Sequence, residues 1–131
     1  MSVLKRNRKE STLEFINTAI EIEVFILKEC SKFPKRYFYI ITKDIIAFSK
    51  EILINVRLAN DVFPNNKENI DLRKQYFTKA LNAINMLYIQ IDVINRLFTV
   101  RETFMKNLME LLVKEENLIK KIIISDKNRL K

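Results

Sequence analysis

The stretch RKQYFTKALNAINMLYIQIDVINRLF, residues 73–98, sets Arg73, Phe77, Ala80, Ile84, Leu87, Ile91, Ile94 and Phe98 at alternating spacings of four and three. Side chains at those spacings share one face of an α-helix, so the segment reads as a helix with a single buried stripe. A stripe of this kind suits packing against other helices at a shallow crossing angle. The spacing predicts a helix over about 70–98 and makes the fold class all-α.

Outward from this segment, three breaks cut the chain into four matched pieces. Phe63-Pro64-Asn65-Asn66 precedes the third helix, with Asn69 and Asp71 as its expected cap and first-turn acid. Lys32-Phe33-Pro34-Lys35-Arg36 separates the first two, since proline cannot donate to a helical ladder and disfavours the α conformation before it. Thr99-Val100-Arg101-Glu102 reads as a capping box opening the fourth, as Ser11-Thr12-Leu13-Glu14 does for the first. The expected helices span about 12–31, 37–62, 70–98 and 100–124, with a basic N-terminal tail over 1–10 and a polar, frayed tail over 125–131. Short links favour antiparallel neighbours, so the expected architecture is one up-down-up-down four-helix bundle.

Each helix offers a core face. In the first it is Leu13, Ile16, Ile20, Val24 and Leu27, with Phe15, Ile22 and Ile26 on the far side. In the second it is Ile41, Ile45, Phe48, Ile52, Val56 and Ala59. In the fourth it is Phe104, Leu108, Leu111, Leu112, Leu118, Ile119 and Ile122. The doublets Ile40-Ile41, Ile45-Ile46 and Leu53-Ile54 make the second helix apolar on more than one face, which points to a subunit interface.

Composition narrows the function. The 131 residues contain no glycine and no histidine, which removes phosphate-cradling glycine loops, dinucleotide fingerprints, zinc fingers, histidine-based acid–base steps and Glu-x-x-His di-iron sites. Carboxylates such as Glu115-Glu116, Asp44 and Glu51 read as solvated surface, and a non-catalytic protein without metal or cofactor is expected. Cys30 stands alone, so no intramolecular disulfide forms; it reads as a small buried hydrophobe near a helix end, in a cytoplasmic protein. Lys5, Arg6, Arg8 and Lys9 precede no apolar run, so no signal peptide is expected, and no segment is apolar for the roughly 18 residues a membrane span requires.

The net charge of +8 favours a polyanionic partner, although abundant Ile, Asn and Lys also suggest an AT-rich coding genome. The positive charge is concentrated in the tails and the first link. Lys43, Lys50 and Arg57 recur every seven residues and form a row about 21 Å long on the second helix. Such a row either follows a nucleic-acid backbone or is a solvated face partly paired with Asp44 and Glu51. The candidate binding residues are therefore Lys5, Arg6, Arg8, Lys9, Lys32, Lys35, Arg36, Lys43, Lys50 and Arg57, with Arg101 expected at the same end as the link. Phe33, Tyr37, Phe38 and Tyr39 flank that link; core packing or oligomer contact is their expected role, and stacking on unpaired bases the alternative.

Lys32-Phe33-Pro34-Lys35-Arg36-Tyr37, a second helix ending near Asn60, and a third carrying Arg73, Phe77 and Ala80 together resemble the Avd-like family. That family holds the accessory variability determinant of diversity-generating retroelements and the four-helix proteins of ribosomal RNA intervening sequences. The resemblance implies a basic homopentamer that binds RNA or DNA and associates with the element's reverse transcriptase. Where many relatives carry a glycine-containing stretch, this chain has Asn55-Val56-Arg57-Leu58-Ala59-Asn60. The retroelement and intervening-sequence branches both stay open.

Overall fold

A computed structural model describes residues 13–129, which form four long helices with no strand among them. We label them α1 (Glu14–Cys30), α2 (Lys43–Asn60), α3 (Lys67–Leu97) and α4 (Glu102–Asn128). α1 packs against α2 and α4, and α3 against the same two, closing a ring around one core. Side chains such as Ile22, Ile52, Ile84, Leu87, Leu108 and Ile119 are fully buried there, each contributing roughly 1.5–3 kcal/mol of transfer free energy. Among the described residues none has a positive φ and no peptide bond is cis.

The stripe on α3 is buried as its period predicts, from Arg73 to Ile94, with Phe98 half-buried beyond the helix end. α2 likewise buries Ile45, Ile52, Val56 and Ala59, with Ile41 buried just before it, but Ser49 takes the innermost place expected of Phe48, and its hydroxyl donates back to the Ile46 carbonyl at 2.7 Å. α1 is rotated by part of a turn from expectation. Ile16 is buried and Leu13 and Ile20 pack against the core as expected, but Phe15, Ala19, Ile22, Ile26 and Cys30 share the inner face, whereas Val24 and Leu27 are exposed. α1 is apolar around most of its girth, so spacing alone does not select a face. Its polar row, Glu14, Asn17, Glu21 and Lys28, does so, because the buried row stands opposite it.

Helix ends differ from the expected caps. Ser11 and Thr12 lie outside the described residues, and α1 opens at Glu14 with no side-chain cap. α3 starts earlier than expected: Asn66 is the cap and accepts from the Asn69 N–H at 2.8 Å, so Asn69 is the capped residue. α4 opens after Arg101 with no side-chain cap; Thr99 sits two residues before that position, outside any helix. The second helix does not run regularly from residue 37. A tight 3-10 turn over Lys35–Tyr37 and a wide π turn over Phe38–Thr42 precede α2.

The segment expected to fray is helical. α4 continues to Asn128 because Asp126 is buried against Arg73. The Arg73 Nε donates to Asp126 Oδ2 at 2.7 Å, and its Nη1 donates to the carbonyls of Ala59 at 3.1 Å and Val62 at 3.0 Å. One guanidinium thus joins the end of α2, the start of α3 and the end of α4, and satisfies carbonyls that a helix terminus leaves without partners. Phe15 meets Phe77 edge-on nearby, with ring centroids 5.8 Å apart.

A second cluster gathers the remaining ends. Phe33 meets Phe98 at 5.1 Å and Phe104 at 5.5 Å, Tyr37 stacks on Phe98 at 5.3 Å, and Phe25 stacks on Phe104 at 5.6 Å.

Candidate nucleic-acid interface

Lys32, Lys35, Arg36, Lys43, Lys50 and Arg57 are all exposed, on α2 and the link before it. Lys5, Arg6, Arg8 and Lys9 lie outside the described residues. On α2 the buried row fixes the inner face, which leaves Lys43, Lys50 and Arg57 outward. Seven residues fall about 20° short of two full turns, so the basic row drifts little along the helix.

Few carboxylates neutralise this surface. Lys50 lies 3.4 Å from Glu23 across on α1, and Lys32 lies 3.0 Å from Glu29. The acids expected beside the row, Asp44 and Glu51, make no ion pair among the described residues, nor do Lys35, Arg36, Lys43 and Arg57. Neighbours on a helix point about 100° apart, which turns Asp44 away from Lys43 and Glu51 away from Lys50. Exposed pairs of the Lys50–Glu23 kind are worth at most about 1 kcal/mol and leave the field of the row largely intact.

The aromatic residues of the link divide into two sets. Phe33 and Tyr37 are half-buried in the ring cluster, the packing role that their position predicts, and Arg36 lies over the Tyr37 ring at 5.0 Å. Phe38 and Tyr39 point outward, with 42% and 82% of their surface exposed. Arg101 does join the link: it lines a cleft of about 230 Å³ together with Lys32, Phe33 and Phe98.

Two acidic residues hold positions that sequence reasoning missed. Glu115 is fully buried on the Leu108–Leu112–Ile119 row of α4, where solvated surface was expected. Neither of its oxygens has a hydrogen-bond partner, and burial pushes its carboxyl up to about 8; Lys114 opposes that shift and Glu14 adds to it. Asp126 is the other. Both positions continue the helical period of the α4 core face, which is the signal that locates them. Glu116, one residue on, is half-exposed and held below its usual range chiefly by Lys120, which donates to it at 2.7 Å; it also accepts from the Tyr88 hydroxyl at 2.9 Å.

Cys30 is buried, and burial pushes its thiol up to about 12, which keeps it from acting as a thiolate near neutral pH. Among the described residues no three His, Cys, Asp or Glu side chains gather as a metal would require. No helix among them is long and apolar enough to cross a membrane.

Comparison with protein-family models, with curated proteins and with solved structures finds no match for this chain.

Proposed function

We propose that this chain is a non-catalytic, oligomeric, nucleic-acid-binding protein that serves as the accessory of a reverse transcriptase in a diversity-generating retroelement. Its four helices alternate up and down. The observation that carries the reading is the outward row Lys43, Lys50 and Arg57 on α2, preceded in the chain by the exposed Lys35 and Arg36, with Lys50–Glu23 the one ion pair these five cations make among the described residues. Cations in a line on a rigid helix suit a polyphosphate backbone, and neutralising phosphates releases condensed counterions without reading sequence.

The alternating arrangement is supported by Arg73, which ties the start of α3 to the ends of α2 and α4, and by the rings that join the ends of α1 and α3 to the start of α4. The reverse-transcriptase partnership and the homopentameric state rest on the Avd-like resemblance of residues 32–37, Asn60, Arg73, Phe77 and Ala80. Self-association is further supported by Met86, Ile89, Val93 and Leu97, an exposed apolar row on the outer side of α3.

Titrating labelled RNA and DNA with the protein at increasing salt tests the proposal. Affinity should fall steeply with salt; binding that is undetectable or indifferent to salt refutes it. The same α3 row favours a second reading, a protein-interaction scaffold whose basic face docks on an acidic protein. Pull-downs that survive nuclease treatment unchanged would favour the scaffold.

A further inference from the structure

The link between α1 and α2 combines three features in one place. The π turn over Phe38–Thr42 buries Ile41 and Thr42 while leaving Phe38, Tyr39 and Ile40 outside. Wide turns of this kind interrupt a regular helix at a cost in hydrogen-bond geometry, and they recur where a site is built. Phe38 and Tyr39 stand edge to face, with centroids 5.1 Å apart, so the two ring planes are nearly perpendicular. Beside them opens a cleft of about 470 Å³ with largely apolar walls formed by Leu27, Pro34, Phe38 and Ile46, and with Lys35 at its edge. That volume falls in the range of roughly 300–1,000 Å³ typical of small-molecule clefts, large enough for one base.

Cations surround these rings. Lys35 and Arg36 precede them, Lys43 follows one turn later, and none of the three makes an ion pair among the described residues. Exposed aromatic faces flanked by unpaired cations match the two halves of a nucleotide in a single strand: a flat apolar base and a charged phosphate. A duplex hides its base faces and offers only the second half.

We propose that this link binds single-stranded nucleic acid through its unpaired bases, with Phe38 and Tyr39 as stacking faces, the adjoining cleft as the seat of one base, and Lys35, Arg36 and Lys43 on the flanking phosphates. The inference rests on the nucleic-acid reading above and adds a preference for strands with unpaired bases. Tyr37 is stacked on Phe98 and is not a stacking face, and Phe33, whose ring packs on Phe98 and Phe104, serves only as part of the cleft wall.

The test compares a short labelled single strand with a blunt-ended duplex carrying the same number of phosphates. The wild-type protein should prefer the single strand. Phe38→Ala with Tyr39→Ala should weaken single-strand binding about tenfold or more, with duplex binding and its salt dependence unchanged. Ile40→Ala is the control, because an aliphatic neighbour of similar exposure cannot stack; it should alter neither affinity. A 2-aminopurine base in the strand should be quenched by the wild type and not by the double variant.

Equal losses on both substrates, or no loss on either, overturn the proposal. So does an Ile40→Ala effect matching that of the ring variants together with a fall in solution mass, which would assign the face to a second copy of the chain. Salt-dependent duplex binding with no single-strand preference would sink this inference alone. Failure to bind either substrate would remove the nucleic-acid reading with it.

Discussion

Arg73 and Asp126, 53 residues apart, form a buried ion pair in which both oxygens of the carboxylate accept from one guanidinium, at 2.7 and 3.4 Å. With side-chain exposures of 10% and 5%, the pair is largely shielded from water, and the third guanidinium nitrogen, Nη1, donates to the Ala59 and Val62 carbonyls at and just past the end of α2. Breaking such a pair from one side leaves a buried charge without compensation, which is the costly case. Asp126→Ala should therefore destabilise the protein by about 3–5 kcal/mol in urea unfolding. Replacing Arg73 and Asp126 together by apolar residues should recover part of that loss. A single substitution that proves neutral would remove the pair's structural role.

Glu115 makes stability depend on pH. Its carboxyl is raised from an ordinary 4.5 to about 8 by burial, so the folded chain holds a proton that the unfolded chain releases. Stability is fully present below about 4.5 and is lost as pH rises towards 8, at up to about 1.4 kcal/mol per pH unit within that window. Thermal melts from acid to mildly alkaline pH should show this decline. Glu115→Gln should flatten it, and Glu115→Leu, which also fills the apolar row, should raise stability at the alkaline end. Parallel pH profiles for the wild type and Glu115→Gln would be incompatible with this account.

The basic row is testable by its slope as well as its strength. Changing Lys43, Lys50 and Arg57 together to Gln should weaken RNA and DNA binding and reduce the slope of log K against log salt by about 2–3, close to one for each phosphate left unneutralised. Far-ultraviolet circular dichroism should be unchanged, because all three side chains are exposed and Gln is a good helix former. A triple variant that keeps the wild-type slope would relocate the interface.

The outer row of α3 reports on self-association. Ile89→Glu or Val93→Glu places a charge amid Met86, Ile89, Val93 and Leu97, which are 38–54% exposed in the isolated chain. Light scattering should then show a smaller solution mass, while unfolding of the dissociated chain stays within about 0.5 kcal/mol, as surface changes usually do. An unchanged mass would show that any assembly uses another face.

How far the sequence could be read varied with what each helix offered. On α3 one stripe keeps an unbroken four-and-three period, and that stripe, from Arg73 to Ile94, is the buried one even though a second apolar row lies outside. On α1 two apolar rows compete. The choice between them depends on Glu14, Asn17, Glu21 and Lys28 marking the water side, a signal carried by polar positions rather than apolar spacing. The end of α4 is hidden for a different reason: Asp126 looks like tail polarity until Arg73, far away in the chain, is brought beside it. Local patterns carry no information about a partner 53 positions distant. At the candidate interface the cations are visible as a seven-residue period, whereas the division of the four link aromatics into packed and exposed pairs is not. That division follows from the 3-10 and π turns, whose geometry no short motif announces.

The chain has no glycine, and its backbone has no positive φ among the described residues, which has a practical consequence for experiment. Every link between these helices is made in conformations that any L-amino acid adopts, so no position among residues 13–129 depends on the absence of a β-carbon. Alanine scanning over residues 13–129, apart from Pro34 and Pro64, removes side-chain interactions without adding backbone strain. Losses measured in such a scan can be assigned to named side chains, which makes this protein a favourable subject for separating residues that hold the fold from those that meet a partner.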